Sequence, residues 1–272
     1  MVRRVTVGWD GSAVALAPLE WAARHYPETG QIELVHVEDG RRPRGEPLRD
    51  VEDAAEAFRQ IHPSFDVRAV RARGAVAEVL ADRTAPDALL VLGGRGNEEQ
   101  RLGHRTSTAY RVLLRAAGPA AVVPQSFRGG RDVVVGIAGR NDDPCVLLSA
   151  AKEAVSRRQR LIAVHAARPL LGLGLGALPG DPVGHDRDLG EYERMVDEAL
   201  APVAAAHPTL PIVRRVVRGR AADVLLAASR TAALLVIGRD DASPIDRRPI
   251  THSSVLLSRA PVVVVPPGTE VG

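Results

Sequence analysis

Residues 5–11 of the chain read VTVGWDG, and residues 133–139 read VVVGIAG. A second pair of matching stretches is ALLVLG at residues 88–93 and ALLVIG at residues 233–238. Repeated stretches this far apart indicate two copies of one domain rather than a short-period repeat array. The repeat therefore decides how the chain is divided, and the differences between the copies carry the information about function.

The alternation of apolar runs and amphipathic stretches within each copy predicts the fold. Short continuous apolar runs suit strands buried on both faces, and the stretches between them have helical periodicity. This order predicts an α/β fold of two tandem, doubly wound domains, each with a five-stranded, mostly parallel sheet and helices on both faces. We place the domains at residues 1–126 and 131–267, each near the common domain size. The predicted strands are 5–9, 32–37, 66–70, 88–92, 120–123, 133–137, 161–165, 212–217, 234–237 and 262–265. The predicted helices include 14–25, 51–60, 75–83, 107–117 and 189–206.

The composition excludes several functional classes. The 272 residues are 45% hydrophobic, 25% charged and 3% aromatic, which is ordinary for a globular chain. The net charge is +3, but basic residues are not interleaved with aromatic ones, so no nucleic-acid partner is expected. A single cysteine, Cys145, fits a reducing compartment. No apolar run approaches the roughly 20 residues that span a bilayer, so we expect a cytoplasmic protein with no membrane partner.

The loops that follow the first and fourth strands are the candidate binding site, because ligands of open α/β sheets bind where the strand order reverses. Asp10 follows the first strand, and Gly93, Arg95 and Gly96 follow the fourth. Glycines let backbone amides approach a phosphate, and a guanidinium adds charge-assisted hydrogen bonds. Asp10 is suited to accept hydrogen bonds from a ribose or a base.

The helix after the fourth strand begins at Thr106, Ser107 and Thr108. Free amides and the helix dipole favour an anion at such a terminus. The alternative interpretation is that residues 93–96 form only a turn and that Ser107 is only an N-cap. Spacing alone leaves both interpretations open.

The whole chain resembles a tandem universal stress protein. Nucleotide-binding members of that family carry, after strand four, Gly, two residues, Gly, nine residues, then Gly and Ser or Thr. Gly93, Gly96 and Ser107 fit this pattern, and Thr106 replaces the last glycine. The turn at Asp10, the His-Val end of the second strand at Val37 and, more loosely, residues 116–123 also match the family.

The resemblance implies that the first domain binds ATP, with or without Mg²⁺. Asp10 would contact the adenosine, and the Val37 backbone would bind the adenine edge. Gly93, Gly96 and Ser107 would contact the ribose and the phosphates. Thr106 departs from the family, because a β-branched residue disfavours positive φ and adds bulk. Its hydroxyl would either donate to a phosphate or cap the helix. The complete set of candidate residues is Gly8, Trp9, Asp10, Val37, Gly93, Arg95, Gly96, Thr106, Ser107 and Thr108.

The second domain departs further from the pattern. Ala138 stands where the first domain has Asp10, and Asp241 stands where it has Gly96, beside Asp240. Two carboxylates would repel a triphosphate. We therefore predict a degenerate site here and a structural or regulatory role for this domain.

The remaining motifs do not indicate catalysis. The glycine-rich stretch 172–176 follows the second strand of its domain, has the wrong spacing for a dinucleotide loop and is interpreted as a flexible loop. His36 and His165 occupy matching strand ends and are interpreted as structural, and Cys145 lacks an obvious catalytic partner. No general base is apparent, so we expect at most slow ATP hydrolysis.

The last strands of the two domains are valine-rich and would be exposed sheet edges, which invite pairing. In the universal stress protein family the fifth strands pair across a dimer, so we expect an intramolecular pseudo-dimer, with a further homodimer left open. The leading hypothesis is an adenine-nucleotide-binding stress-response protein. The alternative is an interaction or regulatory protein of the same fold that binds no nucleotide, and an enzyme for a small substrate ranks third.

Overall fold

The computed structural model describes residues 4–12, 16–27, 30–40, 50–94, 107–139, 144–167, 189–239 and 250–269. We call the part that contains β1 to β5 the first half and the part that contains β6 to β10 the second half. The elements of the first half are β1 (Arg4–Trp9), α1 (Leu16–His25), β2 (Gln31–Glu38), α2 (Val51–Ile61), β3 (Asp66–Arg73), α3 (Val76–Ala81), β4 (Ala88–Gly94), α4 (Thr108–Arg115) and β5 (Ala120–Pro124). Those of the second half are β6 (Val133–Ile137), α5 (Pro144–Ser156), β7 (Leu161–Ala167), α6 (Leu189–Ala206), β8 (Ile212–Arg218), α7 (Ala221–Ser229), β9 (Leu234–Gly238), α8 (Ile250–Leu257) and β10 (Val262–Val265).

The strands form one ten-stranded sheet in the order β3-β2-β1-β4-β5-β10-β9-β6-β7-β8. Every neighbouring pair is parallel except β5 and β10, which are antiparallel. The second half has the same strand order as the first half when each is followed from its outer edge to the β5–β10 junction. The predicted α/β fold, with its mostly parallel sheet, is confirmed.

Burial follows directly from the sequence of each strand. The five apolar residues that begin β4 are all buried, and all four valines of β10 are buried. Helices α1, α2, α5 and α6 cover one face of the sheet, and α3, α4, α7 and α8 cover the other. Helices on both faces explain why the central strands are apolar throughout rather than alternating.

The two edge strands of the sheet, β3 and β8, have a different composition. Their burial is partial and they carry several arginines, among them Arg71, Arg73 and Arg214. Charged side chains on an edge strand disfavour pairing with another chain. The apolar fifth strands, by contrast, lie in the interior of the sheet.

The junction between β5 and β10 is self-complementary. Val263 pairs with Ala121, and their neighbours pair as Val262 with Val122 and Val264 with Ala120. Ala121 and Val263 hold the same position in their halves, since each pairs with the middle valine of the preceding parallel strand. Residues at matching positions thus meet across a local twofold axis, which is the geometry of an isologous interface.

The element bounds differ from the predicted ones mainly at the ends. Strand β3 continues to Arg73 rather than ending at residue 70. Helix α3 spans Val76–Ala81 rather than 75–83, because Ala75 is its extended N-cap residue. The glycine-rich stretch 172–176 lies outside the described residues. Within the described part of the chain, none of the helices has the length and apolar character needed to cross a membrane.

Candidate functional site

A crevice opens between the carboxyl ends of β1 and β4. The β1–β4 register ends at Val7 and Val91, whereas the β1–β2 register continues to Trp9 and His36. Strand β1 lies between β2 and β4, so the direction of winding reverses at this point. This is the place at which open α/β sheets bind their ligands.

Asp10 lies at the mouth of this crevice and is exposed to solvent. Its Oδ1 accepts hydrogen bonds from the backbone amide of Ser12 (3.0 Å) and from the Ser12 hydroxyl (2.7 Å). Gly11 between them has a φ of 81°, which a glycine adopts without strain. The Asp-Gly-Ser sequence therefore forms a tight turn that fixes the carboxylate, and no donor among the described residues meets Oδ2.

Gly8 lies in close contact with two leucine side chains. A Cβ at this position would lie 2.8 Å from Cδ2 of Leu92 and 3.4 Å from Cδ1 of Leu80. The matching glycine of the second half, Gly136, would place a Cβ 3.1 Å from Cδ1 of Leu225. In both halves a larger residue at this position would require a leucine side chain to shift.

The side chain of Trp9 is buried in the core, with 4% of its surface exposed, while its carbonyl oxygen faces β2. Nδ1 of His36 donates a hydrogen bond to that carbonyl (3.0 Å), and Nδ1 of His165 donates to the Ile137 carbonyl (2.9 Å). The two histidines therefore hold matching strand ends in register, and their predicted structural role is confirmed. The indole of Trp9 is a core group rather than a surface for stacking.

Val37 is buried near the end of β2, where it pairs with Ala72 of β3. A charged network borders this strand end: Arg71 on β3 donates to Asp50 (2.5 Å) and Glu52 (2.7 Å) at the start of α2. Hydrogen bonds from Glu52 and Arg71 lower the pKa of Asp50 to about 2, so this carboxylate is ionised at neutral pH. The network fixes the beginning of α2 against the sheet next to the crevice.

Gly93 and Gly94 end β4 on the other side of the crevice. Gly93 is exposed and Gly94 is half-buried. A Cβ on Gly93 would meet Cγ of Pro18 at 3.5 Å, an ordinary contact, so packing alone does not demand a glycine there. Arg95, Gly96 and Thr106 lie outside the described residues.

Ser107 is the N-cap of α4. Its backbone is not helical (φ −60°, ψ 119°), and its Oγ accepts a hydrogen bond from the amide of Tyr110 (3.4 Å). Thr108 is the first helical residue and is exposed. Because α4 connects two parallel strands, its N-terminus lies at the same edge of the sheet as Asp10 and Gly93. The capping bond satisfies one of the free amides of the helix, and the others remain at this edge.

The strand ends of the second half carry different residues at the positions that match Asp10 and Gly94. Ala138 is exposed where the first half has Asp10. Arg239 holds the position that matches Gly94, and its Nη1 donates to the carbonyls of Ala116 (2.5 Å) and Leu113 (3.5 Å) at the end of α4. The guanidinium thus caps a helix of the first half with positive charge at its C-terminus. Asp240 and Asp241 lie outside the described residues.

Two roles were missed by the sequence reasoning. Ser12 anchors the Asp10 carboxylate, and the signal for this is the Asp-Gly-Ser turn itself. Arg239 bridges the halves, and alignment of the repeated fourth strands would have shown an arginine in place of Gly94. Among the described residues no group of three or more His, Cys, Asp or Glu side chains is suited to hold a metal ion.

Comparison with known proteins agrees with the fold. The model of the universal stress protein family matches residues 130–266. A universal stress protein of Mycobacterium tuberculosis is 27% identical over 96% of this chain and 94% of its own length, and one of Mycolicibacterium smegmatis is 26% identical over 86% of each. Among solved structures, a universal stress protein of Archaeoglobus fulgidus superposes with a TM-score of 0.66 at 15% identity over the full length of both chains. A putative universal stress protein of Pseudomonas aeruginosa gives a TM-score of 0.61 at 16% identity, covering 98% of this chain and 94% of its own. The chain belongs to the universal stress protein family.

Proposed function

We propose that this chain is a cytoplasmic stress-response protein with two tandem universal stress protein domains. In this proposal the first domain binds ATP or a related adenine nucleotide, and the second is a structural or regulatory partner. The observation that carries the assignment is the contrast between the two crevices. One is bordered by the exposed Asp10 and by Gly94, and the other has Ala138 and Arg239 at the matching positions, with the Arg239 guanidinium bonded to the end of α4 in the first half.

The tandem arrangement is supported by the topology. Each half has the same strand order, and the β5–β10 ladder pairs matching positions around Ala121 and Val263. Two domains related in this way inside one chain form a pseudo-dimer. The ladder covers the apolar edges that two separate domains would expose.

The chemistry of the first crevice suits an adenine nucleotide. The Ser12 bonds fix the Asp10 carboxylate toward the mouth, where it can accept hydrogen bonds from ribose hydroxyls. The exposed Gly93 leaves room for a ligand to approach the backbone, and the N-terminus of α4 favours phosphate charge. Any Mg²⁺ would arrive with the phosphates and be held chiefly by them.

The proposal is tested by the nucleotide content of the purified protein. Denaturation should release adenine nucleotide, and excess Mg-ATP should raise the melting temperature of nucleotide-free protein. A ligand at one hundred times its Kd stabilises the native state by about 2.7 kcal/mol. Absence of both released nucleotide and a thermal shift at millimolar ATP would refute ATP binding.

A matched pair of variants assigns the site to one half. Asp10→Asn keeps an amide oxygen for the Ser12 bonds but removes the charge, and it should weaken Mg-ATP binding at least tenfold. Asp241→Asn makes the same change in the second half and should alter binding less than twofold. Equal effects would mean that the wrong half has been assigned.

The rival function is an interaction or regulatory protein that binds no nucleotide. It is favoured by the structural roles of the candidate residues: Oδ1 of Asp10 is bonded within its own turn, Ser107 caps a helix and Gly8 packs closely against Leu92. A chain that neither carries nucleotide nor responds to ATP would support this rival.

A further inference from the structure

Helix α4 runs from the proposed nucleotide crevice of the first half to a contact with the second half. It begins after Ser107, at the carboxyl end of β4, and ends at Arg115, ahead of the amino end of β5. Because β5 and β10 are antiparallel, the amino end of β5 lies at the same side of the sheet as the carboxyl end of β9. One end of α4 therefore borders the first crevice, and the other end lies beside Arg239, which follows β9.

Arg239 binds the last turn of α4. Its Nη1 donates hydrogen bonds to the carbonyl oxygens of Ala116 (2.5 Å) and, more weakly, Leu113 (3.5 Å). The last four carbonyls of a helix lack partners within the helix, so the guanidinium satisfies groups that α4 leaves open. The backbone amide of Arg239 donates to the Val265 carbonyl (2.9 Å) at the end of β10. The second half thus holds Arg239 while Arg239 holds a helix of the first half.

A further bond holds the same helix end from within the first half. The amide of Ala117 donates to Oγ1 of Thr84 (2.8 Å), and the buried Thr84 hydroxyl donates to the Ala81 carbonyl (2.6 Å). Thr84 lies in the turn that follows α3. Thr84 and Arg239 therefore fix the end of α4 from the two halves of the chain.

The shortness of α4 makes its two ends interdependent. The helix has eight residues, and helices shorter than about 12 residues are marginal without other contacts. Its backbone bonds include one from the Arg111 amide to the Ser107 carbonyl (3.1 Å) and one from the Ala116 amide to the Val112 carbonyl (2.9 Å). These two bonds reach adjacent residues, so disorder of the last turn weakens the turn that begins at Ser107.

The charges at the two ends favour the same state of α4. Negative charge at a helix N-terminus and positive charge at its C-terminus both stabilise the helical conformation. A phosphate beside Ser107 and Thr108 and the guanidinium of Arg239 therefore support one another through the helix. In the first half Gly94 holds the position that matches Arg239, so it offers no side chain to α8. At this position the contact acts from the second half on the first.

We propose that Arg239 is a positioning residue for nucleotide binding. By holding the C-terminal end of α4, it orders the amides at the N-terminal end, where the phosphates of an adenine nucleotide bind. This inference rests on the proposed function and specifies how the second half regulates the site of the first. Because coupling between two sites is reciprocal, a bound nucleotide strengthens the contact of Arg239 with α4.

The Kd for Mg-ATP in a set of arginine variants measures this coupling. Arg239→Gln removes the charge at the helix end and should raise the Kd about three- to tenfold. Arg239→Lys keeps a charge and a donor and should bind within about twofold of the parent protein. Arg214→Gln is the matched control, since Arg214 is an exposed arginine that pairs with Asp197 within the second half. This control should leave the Kd unchanged.

Amide hydrogen exchange gives a readout that needs no nucleotide. In nucleotide-free Arg239→Gln, the amides of residues 113–116 should exchange about threefold faster or more than in the parent protein, and those of β4 should not change. In the unmodified chain, Mg-ATP should slow the exchange of residues 113–116, as reciprocity requires.

The outcomes separate failure of this inference from failure of the proposed function. If the parent protein binds Mg-ATP and Arg239→Gln binds it equally well, Arg239 has only a structural role and the inference alone is overturned. An unchanged exchange rate at residues 113–116 on addition of Mg-ATP to a parent protein that binds it would overturn it too. If the parent protein binds no adenine nucleotide, the proposed function is refuted and the inference is refuted with it.

Discussion

The hydroxyl of Tyr26 in the first half donates a hydrogen bond to Oε1 of Glu153 in the second half, across 2.6 Å and out of contact with solvent. The other carboxylate oxygen of Glu153 accepts from Arg157, so three buried side chains form one network. Burial and the negative charge of Glu153 raise the pKa of Tyr26 well above its usual value, which keeps the phenol protonated as a donor. The network is a polar link between the halves, in addition to the apolar β5–β10 ladder.

Tyr26→Phe should destabilise the protein by about 1.5–3 kcal/mol, the contribution of a buried hydrogen bond to a charged acceptor. The replacement keeps the ring that packs against Trp21 and deletes only the donor. Urea unfolding measures the change. Tyr192→Phe is the control, because the Tyr192 ring stacks on His165 within the second half and should retain that contact, at a cost below about 0.5 kcal/mol. Similar losses in the two variants would argue against the link between the halves.

The two partners of the buried ion pair, Glu153 and Arg157, should be energetically coupled. Glu153→Leu leaves Arg157 buried without a carboxylate, and Arg157→Met leaves Glu153 without its counter-charge; each should cost about 3–5 kcal/mol. The double variant places two apolar side chains there and should cost less than the two single losses added together. A double-mutant cycle from urea unfolding gives the coupling energy. Strictly additive losses would show that the pair is not coupled.

The neutral state of His25 should make the unfolding free energy depend on pH. The pKa of this ring is about 4 in the folded chain and near 6.5 when unfolded, because burial and the charge of Arg157 disfavour the imidazolium. Between these values the unfolded state binds more protons, so stability is full above about pH 6.5 and falls as the pH drops toward 4. Allowing for the partial exposure of the ring, the loss should be about 1–2 kcal/mol.

NMR titration of the His25 ring tests this directly, with a midpoint expected near pH 4. Arg157→Met should raise that midpoint, since it removes one of the charges that lowers the pKa. In His25→Gln the corresponding part of the pH dependence of unfolding should disappear. A midpoint near the ordinary value of 6.5 would contradict the proposed burial of a neutral ring.

The sequence could predict the strands and their alternation with helices, because apolar runs buried on both faces are visible without a structure. Helix α6 was predicted with its observed bounds, and β6 and β10 likewise. The predicted pairing of the last strands corresponds to the β5–β10 ladder, since two valine-rich edges have few other ways to be covered. These features depend on local composition.

The network of Tyr26, Glu153 and Arg157 could not be predicted in the same way. A glutamate and an arginine four residues apart on a helix are usually a solvated pair, and nothing in the local sequence shows that a distant tyrosine completes their burial.

The same limit applies to the candidate site. The sequence singled out Gly8 and Trp9 next to Asp10, but only the packed structure shows that Gly8 lies close to the Leu92 side chain and that the Trp9 ring belongs to the core.

Gly118 is predicted to be irreplaceable even by alanine. It lies in the turn between α4 and β5, where an added Cβ would be 2.0 Å from the carbonyl oxygen and 2.8 Å from the amide nitrogen of Ala85. Both are backbone atoms, so no rotamer change relieves the clash and the two turns must separate. Gly118→Ala should therefore cost about 3 kcal/mol or more, at the upper end of overpacking effects.

Gly139→Ala is the matched control for that clash. No heavy atom of the described residues lies within 4 Å of a Cβ built at Gly139, and its φ is not in the left-handed region. The alanine should change stability by less than about 0.5 kcal/mol, or raise it slightly by restricting the unfolded chain. Urea unfolding of both variants measures the difference. Equal stability of the two variants would show that the turn at Gly118 is not packed against the backbone of Ala85.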